Sequence, residues 1–212
     1  MAARGSICSL PLQGGGSNPS LRHALSRSLL LAVLILLTPL PAPAQTIAEK
    51  AQLCAACHGE NGVPLDKSIP VIWGQHQGYT YLQLRDFKSS ARKNDVMSPL
   101  AQTMERDEML ALALFFSQKR WPDLRLPPAP ADAAARATRA NVAIGCTGCH
   151  QASYQGEGTQ PRLAGQTREY LQKSMIDFRN RSRGNNPGMT DLMLAISEED
   201  IAACAKHLAG LR

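Results

Sequence analysis

The sequence predicts an all-α protein built as two tandem copies of one small domain, and three observations carry that prediction. The five-residue pattern C-x-x-C-H occurs twice, as Cys54-Ala55-Ala56-Cys57-His58 and Cys146-Thr147-Gly148-Cys149-His150, 92 positions apart. The match extends beyond the pattern: at an offset of 91, Pro70 pairs with Pro161, Gly74 with Gly165, Gln75 with Gln166, Tyr79 with Tyr170, Asp86 with Asp177 and Phe87 with Phe178. One extra residue within 179–188 restores the offset of 92, so that Met97 pairs with Met189. Self-similarity at a fixed period is the signature of a duplicated unit. Finally, the stretches between loops are rich in Ala and Leu, and no alternating apolar pattern marks a strand.

In order along the chain, residues 1–44 read as a secretory leader. Arg22 and Arg27 precede a nearly unbroken Leu, Ala, Val and Ile run from Ser28 to Leu40, and Pro41-Ala42-Pro43-Ala44 supplies an A-x-A cleavage site before Gln45. A membrane anchor is the rival reading, but the run is shorter than the ~20 residues of a spanning helix. The first copy is expected over 45–120 and the second over 132–212, joined by a proline-rich linker at 121–131. Helices are predicted over Ile47–Cys57, Gly78–Phe87 and Met104–Ser117, then over Ala133–Cys149, Arg168–Phe178 and Ser197–Leu208. Ser197-Glu198-Glu199-Asp200 reads as an N-cap followed by acids that suit the helix dipole.

Charge says little about a partner. The net charge of +6 falls to +3 without residues 1–44, which hold three arginines and no acid, and no basic run with interleaved aromatics points to nucleic acid. Outside the leader the cysteines are Cys54, Cys57, Cys146, Cys149 and Cys204. Disulfides or a zinc site are alternatives for exported C-x-x-C pairs. Neither explains the histidine directly after each pair, whereas C-x-x-C-H is the attachment signature of a c-type haem: two thiols form thioethers to the porphyrin and the imidazole binds iron. Two covalent haem c groups are therefore expected, held by Cys54, Cys57, Cys146 and Cys149, with His58 and His150 on the irons. They would supply the apolar centre that a copy of about 75–80 residues lacks.

The sixth ligand decides between a carrier and an open iron. Met97 lies 39 residues after His58 and Met189 lies 39 after His150, both in polar, Gly/Pro-punctuated segments read as loops. A thioether duplicated there is assigned to iron, while Met104, Met109, Met175 and Met193 are assigned to the core. His76 is read as a surface histidine, Cys204 as a buried structural thiol and His207 as a favourable charge at a helix C-terminus. Arg179, Arg181 and Arg183 are read as a solvated basic loop able to steer an acidic partner.

The pattern Cys54 to Gly62, then Pro70, Trp73-Gly74-Gln75, Tyr79, Phe87 and Arg92 to Met97 resembles a class I cytochrome c domain. Its repetition resembles the two-haem cytochrome c4 family. The resemblance implies that the proximal histidines donate their second ring nitrogen to the carbonyls of Pro70 and Pro161. It also implies a pseudo-two-fold between the domains with the haem edges close together. Two departures stand out: Gln151 replaces the glycine expected after the second histidine, and Trp73 faces Ala164 across the repeat.

The function expected is electron transport in the periplasm without an enzymatic activity of its own, between a quinol-oxidising respiratory complex (quinol–cytochrome c oxidoreductase) and a terminal oxidase, at the membrane periphery. The alternative is the cytochrome subunit of a periplasmic dehydrogenase. An enzyme such as a peroxidase or a thiosulfate-oxidising cytochrome needs an iron that substrate can reach, and the duplicated methionine argues against one.

Overall fold

The computed structural model describes residues 45–212; the predicted leader at 1–44 lies outside the described residues. Among the described residues nine helices follow in order: α1 (Ile47–His58), α2 (Gln77–Lys88), α3 (Met97–Gln102), α4 (Arg106–Ser117), α5 (Ala131–Ile144), α6 (Cys146–His150), α7 (Arg168–Arg179), α8 (Pro187–Leu194) and α9 (Glu198–Ala209). Among the described residues there is no strand, only an isolated bridge between Glu157 and Gln160. None of these helices is long and apolar enough to cross a membrane.

The helix packing repeats. In the first copy α2 packs on α4 and α3, and α1 on α4; in the second, α9 packs on α5 and α7, and α7 on α8. The first core is one cluster of Ala51, Leu84, Met104, Met109, Leu112 and Phe116. The second divides into three smaller ones, including Phe178, Met193, Ile196 and Ile201 and a small-residue contact of Ala137 and Ala140 with Cys204. Small side chains there let α5 and α9 approach closely. Cys204 is buried, and burial pushes its thiol up to about 12.

Local chemistry explains the helix ends. Thr46 and Glu49 form a capping box that starts α1: Thr46 Oγ1 accepts from Glu49 N (3.2 Å) and Glu49 Oε2 accepts from Thr46 N (2.7 Å). Ser197 and Asp200 do the same for α9, as predicted. Two expectations are corrected. The single helix predicted over Ala133–Cys149 breaks at Gly145, which takes φ 69° and leaves the haem motif as a separate turn, α6. The segments of Met97 and Met189 are helices rather than loops, because Asn94 Oδ1 accepts from Met97 N (2.9 Å) and Asn186 Oδ1 from Met189 N (3.1 Å). Pro187 also sits at the helix start, where its missing N–H costs nothing.

Gly74 and Gly165 occupy equivalent turns and donate to equivalent carbonyls, Phe116 (2.8 Å) and Leu208 (3.0 Å). A Cβ on Gly74 would lie 2.9 Å from the backbone nitrogen of Trp121, so the linker is seated directly on this turn.

Candidate functional site: two haem-binding motifs and the junction between them

Each motif closes a helical segment, and the helix explains its spacing. Residues i, i+3 and i+4 share one face, so Cys54, Cys57 and His58 point to one side of α1; Cys146, Cys149 and His150 do so on α6. In both copies the first cysteine is half-buried, the second exposed and the histidine buried. None of the four motif cysteines is paired in a disulfide. Burial pushes Cys54 up to about 11, and also raises Cys146. Among the described residues no three His, Cys, Asp or Glu side chains gather as a metal-binding cluster, which leaves the zinc alternative without a ligand set.

His58 Nδ1 lies 2.8 Å from the Pro70 carbonyl oxygen, and His150 Nδ1 lies 3.0 Å from that of Pro161. A carbonyl only accepts, so each Nδ1 carries the proton and each Nε2 presents its lone pair. Burial pulls both imidazoles below their ordinary value, against the opposing effect of these bonds. The neutral tautomer that iron needs is thus held by the fold itself.

Met97, the first residue of α3, is half-buried and packs against the same core as Cys54, Trp73 and Tyr81. Met189, in the first turn of α8, packs against the cluster of Phe178, Met193, Ile196 and Ile201. Of the methionines assigned to the core, Met104, Met109 and Met193 are buried.

The copies meet through bonds that equivalent residues exchange. Gln166 Oε1 accepts from Val71 N (2.8 Å) and its Nε2 donates to Val71 O (3.0 Å). Gln75 Oε1 accepts from Arg162 N (2.9 Å) and its Nε2 donates to Arg162 O (3.0 Å). Arg92 donates to the Tyr170 hydroxyl (3.2 Å) and Arg183 to that of Tyr79 (3.3 Å). Each guanidinium also lies over the equivalent phenyl ring, Arg92 over Phe87 at 4.6 Å and Arg183 over Phe178 at 4.3 Å. A pseudo-two-fold generates this pattern, since each residue then meets its counterpart's partner.

Two sequence expectations fail at this junction. His76 is half-buried rather than free at the surface: its Nε2 lies 2.8 Å from the Gln155 carbonyl of the other copy. Arg183 is only 7% exposed, and Arg179 caps the carbonyls of Met193, Leu194 and Ile196, so the predicted basic loop is largely spent inside the protein. The signal for Arg183 was in the repeat, where Arg92 stands 91 positions earlier.

The residues fit a propionate-bearing porphyrin. Among the described residues neither Arg92 nor Arg183 has a carboxylate partner; their acceptors are neutral. Arg183 is buried and Arg92 half-buried, and cations withdrawn from water that are satisfied only by neutral acceptors form a donor set for carboxylates. Trp73 Nε1 is likewise a buried donor without a protein partner, beside the core that Cys54 and Met97 border.

Comparison with known proteins agrees. The Cytochrome c family profile matches residues 134–212. Cytochrome c4 of Pseudomonas aeruginosa is 34% identical over 172 residues, covering 76% of this chain and 85% of that one. The chain belongs to the cytochrome c4 family. A protein of Stutzerimonas stutzeri named thiosulfate dehydrogenase electron acceptor is 31% identical, over 76% of this chain and 80% of its own. The solved cytochrome c4 structure of Acidithiobacillus ferrooxidans superposes with a TM-score of 0.69 at 28% identity, covering 76% of this chain and 99% of that one. As a cytochrome c4 the protein is an all-α electron-transfer cytochrome with two covalently bound haem c groups.

Proposed function

We propose that the protein is a periplasmic electron carrier that takes electrons from a quinol-oxidising respiratory complex and delivers them to a terminal oxidase. It has no catalytic activity of its own. Residues 1–44 are its export leader, and 45–120 and 132–212 are its two haem domains. When bound, each haem iron supplies a one-electron redox couple. Cys54 and Cys57 would hold one haem through thioethers and Cys146 and Cys149 the other, while His58 and His150 would present Nε2 to iron. Met97 and Met189 complete the iron sites, and a thioether there raises the potential. Pro70 and Pro161 hold the imidazole tautomer through their carbonyls. Arg183, buried, and Arg92, half-buried, would offer positive charge to the propionates.

The observation that carries this reading is that both copies keep the same set, a buried tautomer-locked histidine and a methionine in a first helical turn whose N–H donates to an asparagine side chain. Filled axial positions suit electron transfer, whereas an enzyme keeps one open. Reduced protein at neutral pH is expected not to bind carbon monoxide. Binding by either haem without denaturation overturns the carrier reading. A second reading, the acceptor subunit of a dehydrogenase, draws on the similarity to the protein named thiosulfate dehydrogenase electron acceptor. Purification from native membranes and periplasm as a stable complex with a catalytic subunit replaces the first reading with this one.

A further inference from the structure

Superimposed on the reciprocal bonds of the junction is a set that runs one way. Gln83, on α2 of the first copy, accepts at Oε1 from Arg183 Nη2 (2.9 Å) and Asn185 Nδ2 (3.1 Å), both of the second copy. Asn185 Nδ2 also donates to Asp86 Oδ2 (2.8 Å), and Asp86 is buried. Asn185 directly precedes Asn186, the residue whose side chain caps α8 at Met189 N. The start of the helix that carries Met189 is thus held by side chains of the other copy.

The first copy has no such hold. Ser174 stands where the repeat would need Gln83's equivalent, and a hydroxymethyl group is too short to span the distance. Lys93, exposed, precedes the capping Asn94. The Met97 segment reaches the second copy through the Arg92–Tyr170 bond.

We infer that Gln83 is a positioning residue for the second haem site, acting across the junction through Asn185, so that the first copy sets the rigidity of Met189 while the second does not set that of Met97 in the same way. The inference rests on Met189 being an iron ligand. Gln83 is half-buried, and its Oε1 is shared by three donors, Arg183 and Asn185 across the junction and Arg92 Nη1 of its own copy (2.9 Å). An acceptor for charged donors is worth more than an ordinary surface bond, and its removal leaves Asn185 held across the junction by Asp86 alone.

The test is hydrogen exchange at α8 and α3 in the two-haem protein, together with spectroelectrochemical resolution of its two potentials, for Gln83→Leu, Gln83→Glu, Ser174→Ala and Met189→Ala. Gln83→Leu is expected to speed exchange over Met189–Leu194 about tenfold, the equivalent of about one net hydrogen bond to a charged group, and to lower the second potential. The α3 amides and the first potential are expected to change less, because Arg92, although it also loses Gln83, keeps Tyr170 and the Phe87 face, and Asn94 has no bond to Gln83 to lose. Gln83→Glu keeps an acceptor and is expected to restore slow exchange; Ser174→Ala is expected to change neither helix. Equal loosening of α3 and α8 by Gln83→Leu, or no loosening of α8, overturns the inference. An unchanged spectrum and potential in Met189→Ala overturns the ligand assignment instead, and the exchange data then stand apart from it.

Discussion

Gln151 and Gly59 follow the two proximal histidines and share a backbone conformation that only glycine adopts without strain. Gly59 has φ 89° and ψ 136°, and a Cβ there would lie 1.9 Å from the Val63 carbonyl oxygen. Gln151 has φ 68° and ψ 161°, so the second loop keeps the glycine geometry with a side chain that opposes it. Such a conformation costs a non-glycine residue about 1–3 kcal/mol, partly offset by the extra unfolded-state entropy of glycine. Gln151→Gly is therefore expected to stabilise the protein by about 1 kcal/mol in urea unfolding, and a lower midpoint contradicts the strain. At this scale the sequence was highly legible. The motif cysteines, both histidines, both prolines and both methionines occupy matched positions in the repeat, and the structure sets each histidine on the carbonyl of its matched proline. His76 and Arg183 were misread since a side chain's partner across a junction leaves no trace in its own neighbourhood.

The long helices were legible from composition and caps, whereas α3 and α8 were not. With six and eight residues they are too short to show a periodic face, and the asparagines that accept from their first turns, Asn94 in the turn before α3 and Asn186 at the N-cap of α8, read equally well as turn residues. The break at Gly145 has a similar cause: a glycine within an alanine-rich run signals a left-handed turn only once packing demands it. The cap of α9 was visible, and its energetics are testable. Ser197 Oγ accepts from Asp200 N (3.1 Å), and Ser197→Ala is expected to cost about 1 kcal/mol in chemical denaturation. The Asp200 carboxyl is held below its usual range by Arg136, whose Nε lies 2.8 Å away, and by Ser197. A carboxyl depressed in the folded state stabilises it above the unfolded value, here 3.8, and loses that contribution as pH falls through the lower folded value. Stability of the native protein should therefore drop on acidification below about pH 4. Asp200→Asn is expected to flatten that part of the profile and to lower stability at neutral pH, where the ion pair is intact. An identical acid limb in the variant removes Asp200 from the account.

At the level of the whole molecule, duplication foretold two like halves but not how they are joined. Hydrophobic contacts hold each half together, since every helix pair in substantial contact lies within one copy. The halves are bound instead by polar groups that recognise backbone: Gln75 on Arg162 and Gln166 on Val71, both glutamines buried. A junction of this kind is directional and easily broken by one side chain. Removing the Gln166 amide leaves the Val71 N–H and carbonyl without partners inside the protein, at about 1–3 kcal/mol for a buried unsatisfied group. Gln166→Ala should therefore act on cooperativity more than on either core. In calorimetry the native protein is expected to unfold in one transition with matching van't Hoff and calorimetric enthalpies, and Gln166→Ala to split it into two with the van't Hoff value the smaller. Adding Gln75→Ala should separate the transitions further, because the reciprocal pair is the other half of the same clamp. If the double variant still melts as one unit, the coupling resides in the side-chain bonds that remain across the junction, the Arg92–Tyr170 and Arg183–Tyr79 pairs and the Gln83 and Asp86 bonds to the second copy, and Tyr79→Phe with Tyr170→Phe tests the share of the first two.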